Sequence, residues 1–229
     1  MYKSFVPARL FPYIPASLLD EQEYCEMKLH YNILKDENIT PKAPGEARKA
    51  MEALYRERSH RFAGESGFKR ISVIGEIEGL PFAASPDAAL VKDGKVLALI
   101  RGRIRRNLSI YDSDFTRLLI AALLVDSNGR ASDDMKLVVA VAVTPADLRE
   151  VAKKIKSEGV KSMLITDGRS AIGKVEVRIY DREAALTRIM PLLEYWKGER
   201  PPRAMPSPAK CSVCNYATEC EYARLPLKK

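Results

Sequence analysis

The chain has 229 residues, 46% of them hydrophobic and 30% charged, an ordinary globular mix that can bury a sizeable core as one domain with an appendage or two small domains. Its formal net charge of +8 points to a polyanionic partner, nucleic acid before a membrane surface. The longest apolar runs, Leu118 to Val125 and Leu137 to Val143, are far too short to span a bilayer, and the N-terminus lacks the charged-then-apolar design of a signal peptide, so the expectation is a soluble, cytoplasmic protein with no membrane partner.

In chain order, Ser17 to Asn32 has helical character and carries Cys25 and His30. A second helix is predicted from about Gly45 to His60, rich in Ala, Glu, Arg and Met. The period then changes. Arg70 to Glu78 alternates, Ala88 to Val91 is a short apolar run, and Lys95 to Arg103 alternates again. Between the last two, Asp93-Gly94 is the strongest short hairpin signal. Ser113 reads as the N-cap of an apolar helix reaching Val125, and Leu137 to Val143 as a buried central strand. Thr144 opens a helix through Ser157, and Val160 to Thr166 and Lys174 to Tyr180 are further strands. Asp181 to Trp196 is a last long helix kinked at Pro191, and Gly198 to Pro208 is proline-rich and irregular. This order is a mixed α/β pattern around a central sheet.

All four cysteines fit one arrangement. Cys211 and Cys214 form a CxxC, Cys220 follows after five residues, and Cys25 lies 186 residues before Cys211. A CxxC turn aims two thiolates at one metal centre. Disulfides are the alternative in an oxidising or hyperthermophilic setting, and four thiolates also suit tetrahedral zinc. Structural zinc sites usually draw two local pairs, whereas one distant cysteine plus a triplet favours an iron–sulfur cluster. Such a staple would close a very long loop and tie a C-terminal lid to the core. A single glutamine, Gln22, beside 68 charged side chains reads as thermophilic.

The C-terminal PPRAMPSPAKCSVCNYATEC and the early SLLDEQEYCEMKLHYN resemble the RecB-like iron–sulfur nucleases, most of all the fourth family of CRISPR-associated (Cas) proteins, exonucleases of antiviral defence. The resemblance implies an α/β fold with a RecB-like PD-(D/E)xK nuclease core, a mixed central sheet flanked by helices. Residues 1–65 would form an N-terminal helical segment contributing one cluster cysteine, 66–198 the core, and 199–229 the C-terminal four-cysteine cluster lid. It implies metal ligation by Cys25, Cys211, Cys214 and Cys220, with a four-iron, four-sulfur (4Fe–4S) cluster favoured. It also implies a catalytic set of a helix histidine, a strand aspartate and a Glu-x-Lys on the next strand, holding magnesium or manganese beside a scissile phosphate. Mapped here, the first two are His60 and Asp87.

The third part of the set is missing. Glu-x-Lys should fall within VLALIRGR, where the preferred register gives Leu99 and Arg101 and the shifted one gives Ile100 and Gly102. A Gln-x-x-x-Tyr pair on the following helix is replaced by Arg117 and Ala121. Glu76 and Glu78, read as sharing one strand face, are the candidates for migrated acids. Where the substrate phosphate would lie, Arg101, Arg103, Arg105 and Arg106 place four arginines in six residues. Alternation sets Arg101, Arg103 and Arg105 on one face about 7 Å apart, a row suited to nucleic-acid phosphates, and aromatics nearby are sparse. The expected function is DNA binding by a degenerate nuclease that serves CRISPR spacer acquisition beside integrase proteins, with oligomerisation left open. The alternatives are an active magnesium- or manganese-dependent DNA exonuclease with migrated acids, and a structural subunit of a nucleoprotein assembly.

Overall fold

The computed structural model of the chain describes residues 6–35, 46, 49 and 66–225. The helix expected from Gly45 to His60, and His60 with it, therefore lies outside the described residues, apart from Glu46 and Lys49, which are helical.

The fold is mixed α/β, with two sheets flanked by helices. In chain order it runs β1 (Ile14–Pro15), α1 (Ala16–Tyr24), α2 (Glu26–Lys35), β2 (Gly67–Lys69), β3 (Val73–Ile77), β4 (Leu80–Ala84), β5 (Ala88–Lys92) and β6 (Lys95–Ile104). There follow α3 (Ser113–Ser127), β7 (Ala131–Ala142), α4 (Pro145–Glu158), β8 (Met163–Thr166), β9 (Ala171–Ile179), α5 (Arg182–Lys197) and the single turn α6 (Pro208–Cys211). The large sheet has the order β2-β5-β6-β7-β9-β8, antiparallel except where β7 lies parallel to β6 after the α3 crossover. A small sheet, β1-β4-β3, pairs the N-terminal Ile14–Pro15 in parallel with β4.

Two sequence features position everything else. From Leu137 to Ala142 every residue of β7 is buried, three side chains to each face, which makes this strand the spine of both halves of the core. The odd-numbered face, with Leu99, Leu137 and Val139, meets α3 and α5; the even-numbered face, with Ala98, Ile100 and Val138, meets Leu148, Val151 and Ile155 of α4. Helix α3 is apolar almost all round, and ten of its fifteen residues are buried because it packs against strands of both sheets. Gly75 of β3 allows that approach: a Cβ there would stand 3.1 Å from the Leu124 side chain.

The Asp93-Gly94 turn forms as expected, with φ of 50° and 77°. Thr144 and Asp147 form the reciprocal capping box that starts α4. Other expectations change. Ser17 to Asn32 is two helices, broken where Cys25 turns extended at φ −167° and ψ 111°. The stretch from Arg70 to Glu78 is not one strand: Glu78 and Gly79 form a second left-handed turn, at φ 52° and 77°, and β4 follows. The Ser113 reading is also corrected, since Ser113 is the first helical residue and Asp112 the cap position.

Candidate metal centre and strand-end ion-pair network

The four cysteines are all free thiols, and all four line one open cavity of about 420 Å³ including its mouth. Local turns arrange the C-terminal three. Ser207 caps α6 through the Lys210 amide, and Pro208 occupies the first turn. Cys211 ends that turn; the amides of Cys214 and Cys220 then donate to the carbonyls of Cys211 and Tyr216 at 3.2 and 2.9 Å, winding the chain round the gap. Cys25 comes from the break between α1 and α2.

Polar docking brings these distant segments together. Glu26, 3% exposed, is held by the Arg200 guanidinium and accepts the Arg203 amide at 2.6 Å, while the Met27 amide donates to the Arg203 carbonyl at 3.3 Å. Gln22, the one glutamine, accepts from the Trp196 indole at 2.8 Å and donates to the Leu192 carbonyl and to Glu26. On the far side, the Tyr216 hydroxyl donates to Asn32 at 2.8 Å, and Lys210 donates to the Tyr24 carbonyl at 2.6 Å. His30 does not line the cavity; its ring meets the Tyr195 hydroxyl at 3.1 Å, and burial holds its pKa below the ordinary value, against the pull of Glu26.

The donor set fits a soft metal centre. The cavity is lined by four thiols with no carboxylate or imidazole, beside the apolar Met27, Met205, Pro206 and Ala217. Among the described residues no three His, Cys, Asp or Glu side chains converge as the ligands of a single metal ion do.

At the end of β6 the geometry is the opposite. Asp87, 4% exposed, stands just before β5, where its amide donates to the Ile100 carbonyl at 3.0 Å and its Oδ2 accepts the Gly102 amide at 2.9 Å. Ala88 pairs with Ile100, so Asp87 falls opposite Arg101. Leu99 and Ile100 are fully buried in the two opposite core faces, and neither register brings an acid to this point.

The arginine row expected to face phosphate is turned inward. Arg101 is 2% exposed and grips both carboxylate oxygens of Asp20 on α1, with Nη1–Oδ1 at 2.9 Å; Nη1 also donates to the Asp114 carbonyl at 3.0 Å. Arg103 donates to Asp114 at 3.1 Å and lies 3.7 Å from Asp20. Arg105 is beyond the end of β6 and forks onto both oxygens of Asp114 at 2.6 and 2.5 Å, leaving Arg106 exposed. Asp114 itself is fully buried at the start of α3. Burial pushes its carboxyl up, but Arg105, the Tyr111 amide and Arg103 together bring it below the ordinary value. Burial, then the Arg101 charge, lowers the pKa of Arg103. Nearby, Glu23 accepts from Thr116 at 2.6 Å and from Arg188 at 2.5 Å, yet burial raises its pKa.

Glu76 and Glu78 do not share a strand face. Glu76 is exposed on β3 of the small sheet, and Glu78 is exposed in the turn after it. Arg117 ties α3 to the Ser85 carbonyl just before Asp87, at 2.5 Å, and Ala121 is buried in the core. Asp20 and Asp114, the counter-charges that decide this region, were not foreseen. The only available signal was that arginines so dense at the end of a buried strand need acids to meet them.

No protein-family model matches the chain, and no curated protein matches it either.

Proposed function

We propose that the chain is a DNA-binding iron–sulfur protein built on a RecB-like nuclease core whose hydrolytic centre has been closed by an ion pair. The observation that carries this reading is Arg101, in the lysine's place opposite Asp87, locked to Asp20 while Leu99, in the glutamate's place, is buried in the core. The Asp87 carboxylate already accepts from the Gly102 amide. Leu99 brings no second carboxylate beside Asp87, and the Arg101 guanidinium, tied to Asp20, is not free to take the lysine's part. These residues do not fit a catalytic divalent metal.

The thiol cavity supports the other half. Cys25, Cys211, Cys214 and Cys220 would hold the cluster, which supplies a tie between the two distant segments. A polynuclear cluster is larger than one ion and suits thiolates that ring a gap rather than meet at a point. The net charge of +8 supports DNA as the partner. The order of elements, with an early cysteine, an aspartate opening a strand paired to the next, and a late cysteine triplet, supports the RecB-like reading and a place in CRISPR spacer acquisition beside integrase proteins.

The test is cleavage of labelled single- and double-stranded DNA with magnesium or manganese, wild type beside Asp87→Ala, after anaerobic purification. We expect brown protein carrying iron and acid-labile sulfide, salt-sensitive DNA retention, and no cleavage above background by either form. Robust cleavage abolished by Asp87→Ala would overturn the closed-site reading. Colourless protein with stoichiometric zinc would overturn the cluster.

A further inference from the structure

The cysteine cavity carries more than thiols. Four of the ten tyrosines in the chain, Tyr24, Tyr31, Tyr216 and Tyr222, line it. Tyr24 and Tyr222 are 39% and 48% exposed at its rim. Tyr31 and Tyr216 are stacked, with centroids 5.3 Å apart and planes at 26°.

Three of these rings have an ammonium against them. Lys28 and Lys210 lie 5.4 and 4.9 Å from the centroid of Tyr24, and Lys35 lies 5.9 and 5.4 Å from those of Tyr31 and Tyr216. Lys35 also pairs with Glu219, whereas Lys28 and Lys210 are in no ion pair among the described residues. An exposed cation–π contact is weaker than the stacking of a base on the same ring. A base arriving on Tyr24 would displace both lysines from the ring, and Lys28, together with Lys210 once it releases the Tyr24 carbonyl, can then meet the flanking phosphates. This contrasts with the strand end, where Arg105 lies 4.9 Å over Tyr111 but is fastened to buried Asp114.

We infer that the rim of the cysteine cavity is a stacking surface for single-stranded nucleic acid, with Tyr24 and Tyr222 as platforms and Lys28 and Lys210 as phosphate contacts. The inference rests on the nucleic-acid-binding reading above and moves the contact away from the arginine row. Stacking on tyrosine and contact with phosphate are both tolerant of sequence, so the expected ligand is any unpaired strand rather than one motif.

The experiment is fluorescence anisotropy of a labelled 20-nucleotide oligothymidylate and a duplex of equal length, with full-length protein purified anaerobically. The variants are Tyr24→Ala/Tyr222→Ala, Tyr24→Phe/Tyr222→Phe and Lys28→Ala, each checked for iron and sulfide. We expect the alanine pair to weaken oligothymidylate binding about tenfold or more and the phenylalanine pair to bind within about twofold of wild type. Lys28→Ala should flatten the slope of log affinity against log salt by about 0.7. Wild type that binds DNA while the alanine pair, with full iron, binds equally well overturns the inference and leaves the proposed function standing, as when the rim docks a protein. Wild type that binds neither probe overturns the DNA-binding reading and the inference with it. If the alanine pair loses iron together with affinity while Lys28→Ala, fully loaded, matches wild type in affinity and salt slope, the tyrosines only shield the centre and the inference falls.

Discussion

The two polar regions of this protein are made from similar resources and end in opposite states. At the end of β6, three arginines and two aspartates converge and satisfy one another, with Asp114 fully buried and Arg101 nearly so. At the other region four thiols line a gap and find no partner among themselves. The first region has its charged groups already paired and acts as scaffold, whereas the second leaves its thiols facing an open cavity. Density of functional residues in the sequence therefore misleads: the arginine run is the more conspicuous motif and the more closed site.

The largest effect should come from the open region. Cys214→Ser is expected to take anaerobically purified protein from stoichiometric iron and sulfide to almost none, and to lower its melting temperature because the tie between the chain segments is lost. Retention of full metal by that variant would remove the contrast between the regions. Next is Asp114→Asn, which strands Arg103 and Arg105 without their buried counter-charge; a loss of about 3–5 kcal/mol in urea unfolding is expected. The same carboxylate sets a pH dependence. Its folded pKa lies below the ordinary 3.8, so its contribution is complete above that value and is lost as pH falls through the folded one. Wild type should therefore lose stability below about pH 4 more steeply than Asp114→Asn, and parallel acid profiles would show the network to be inert. The smallest effect is expected from Arg101→Met, about 1.5–3 kcal/mol, because Asp20 keeps Arg103 nearby and is partly solvated. A variant more stable than wild type would show instead that the Arg101–Asp20 pair is maintained against its own energetic cost.

Much of the scaffold was legible because it rests on local signals. Asp93-Gly94 and Thr144 with Asp147 each specify a backbone geometry within four residues, and the unbroken apolar run of β7 announces burial on both faces. The second turn at Glu78-Gly79 was hidden because glutamate is a poor residue for positive φ, so the alternation from Arg70 appeared to run straight through it. β2, a short edge strand of three residues, offers too short a run to carry a period. At the candidate sites, all four cysteines line one cavity; close spacing accounts for Cys211, Cys214 and Cys220, whereas Cys25 reaches it through the packing of α1 and α2. Arg101 and Arg103 do lie on the strand, with Arg105 and Arg106 beyond its end, but their orientation could not be read: the partners Asp20 and Asp114 lie 81 and 13 residues away from Arg101, and no local pattern links them. Strand alternation gives a side chain's face; only the packing of α1 and α3 over that face decides whether it meets solvent or an acid.

The separation of Cys25 from Cys211 also sets a timetable. A ribosome adding about 5–20 residues each second needs roughly 10–40 seconds to make the 186 residues between them. Throughout that interval Cys25 is without the three thiols that share its cavity, and Glu26 and Gln22 wait nearly as long for Arg200 and Trp196, each 174 residues on. The sheet strands and α3, all encoded in between, can form first. Completion of the cavity thus follows synthesis of the strands and helices encoded between its two walls.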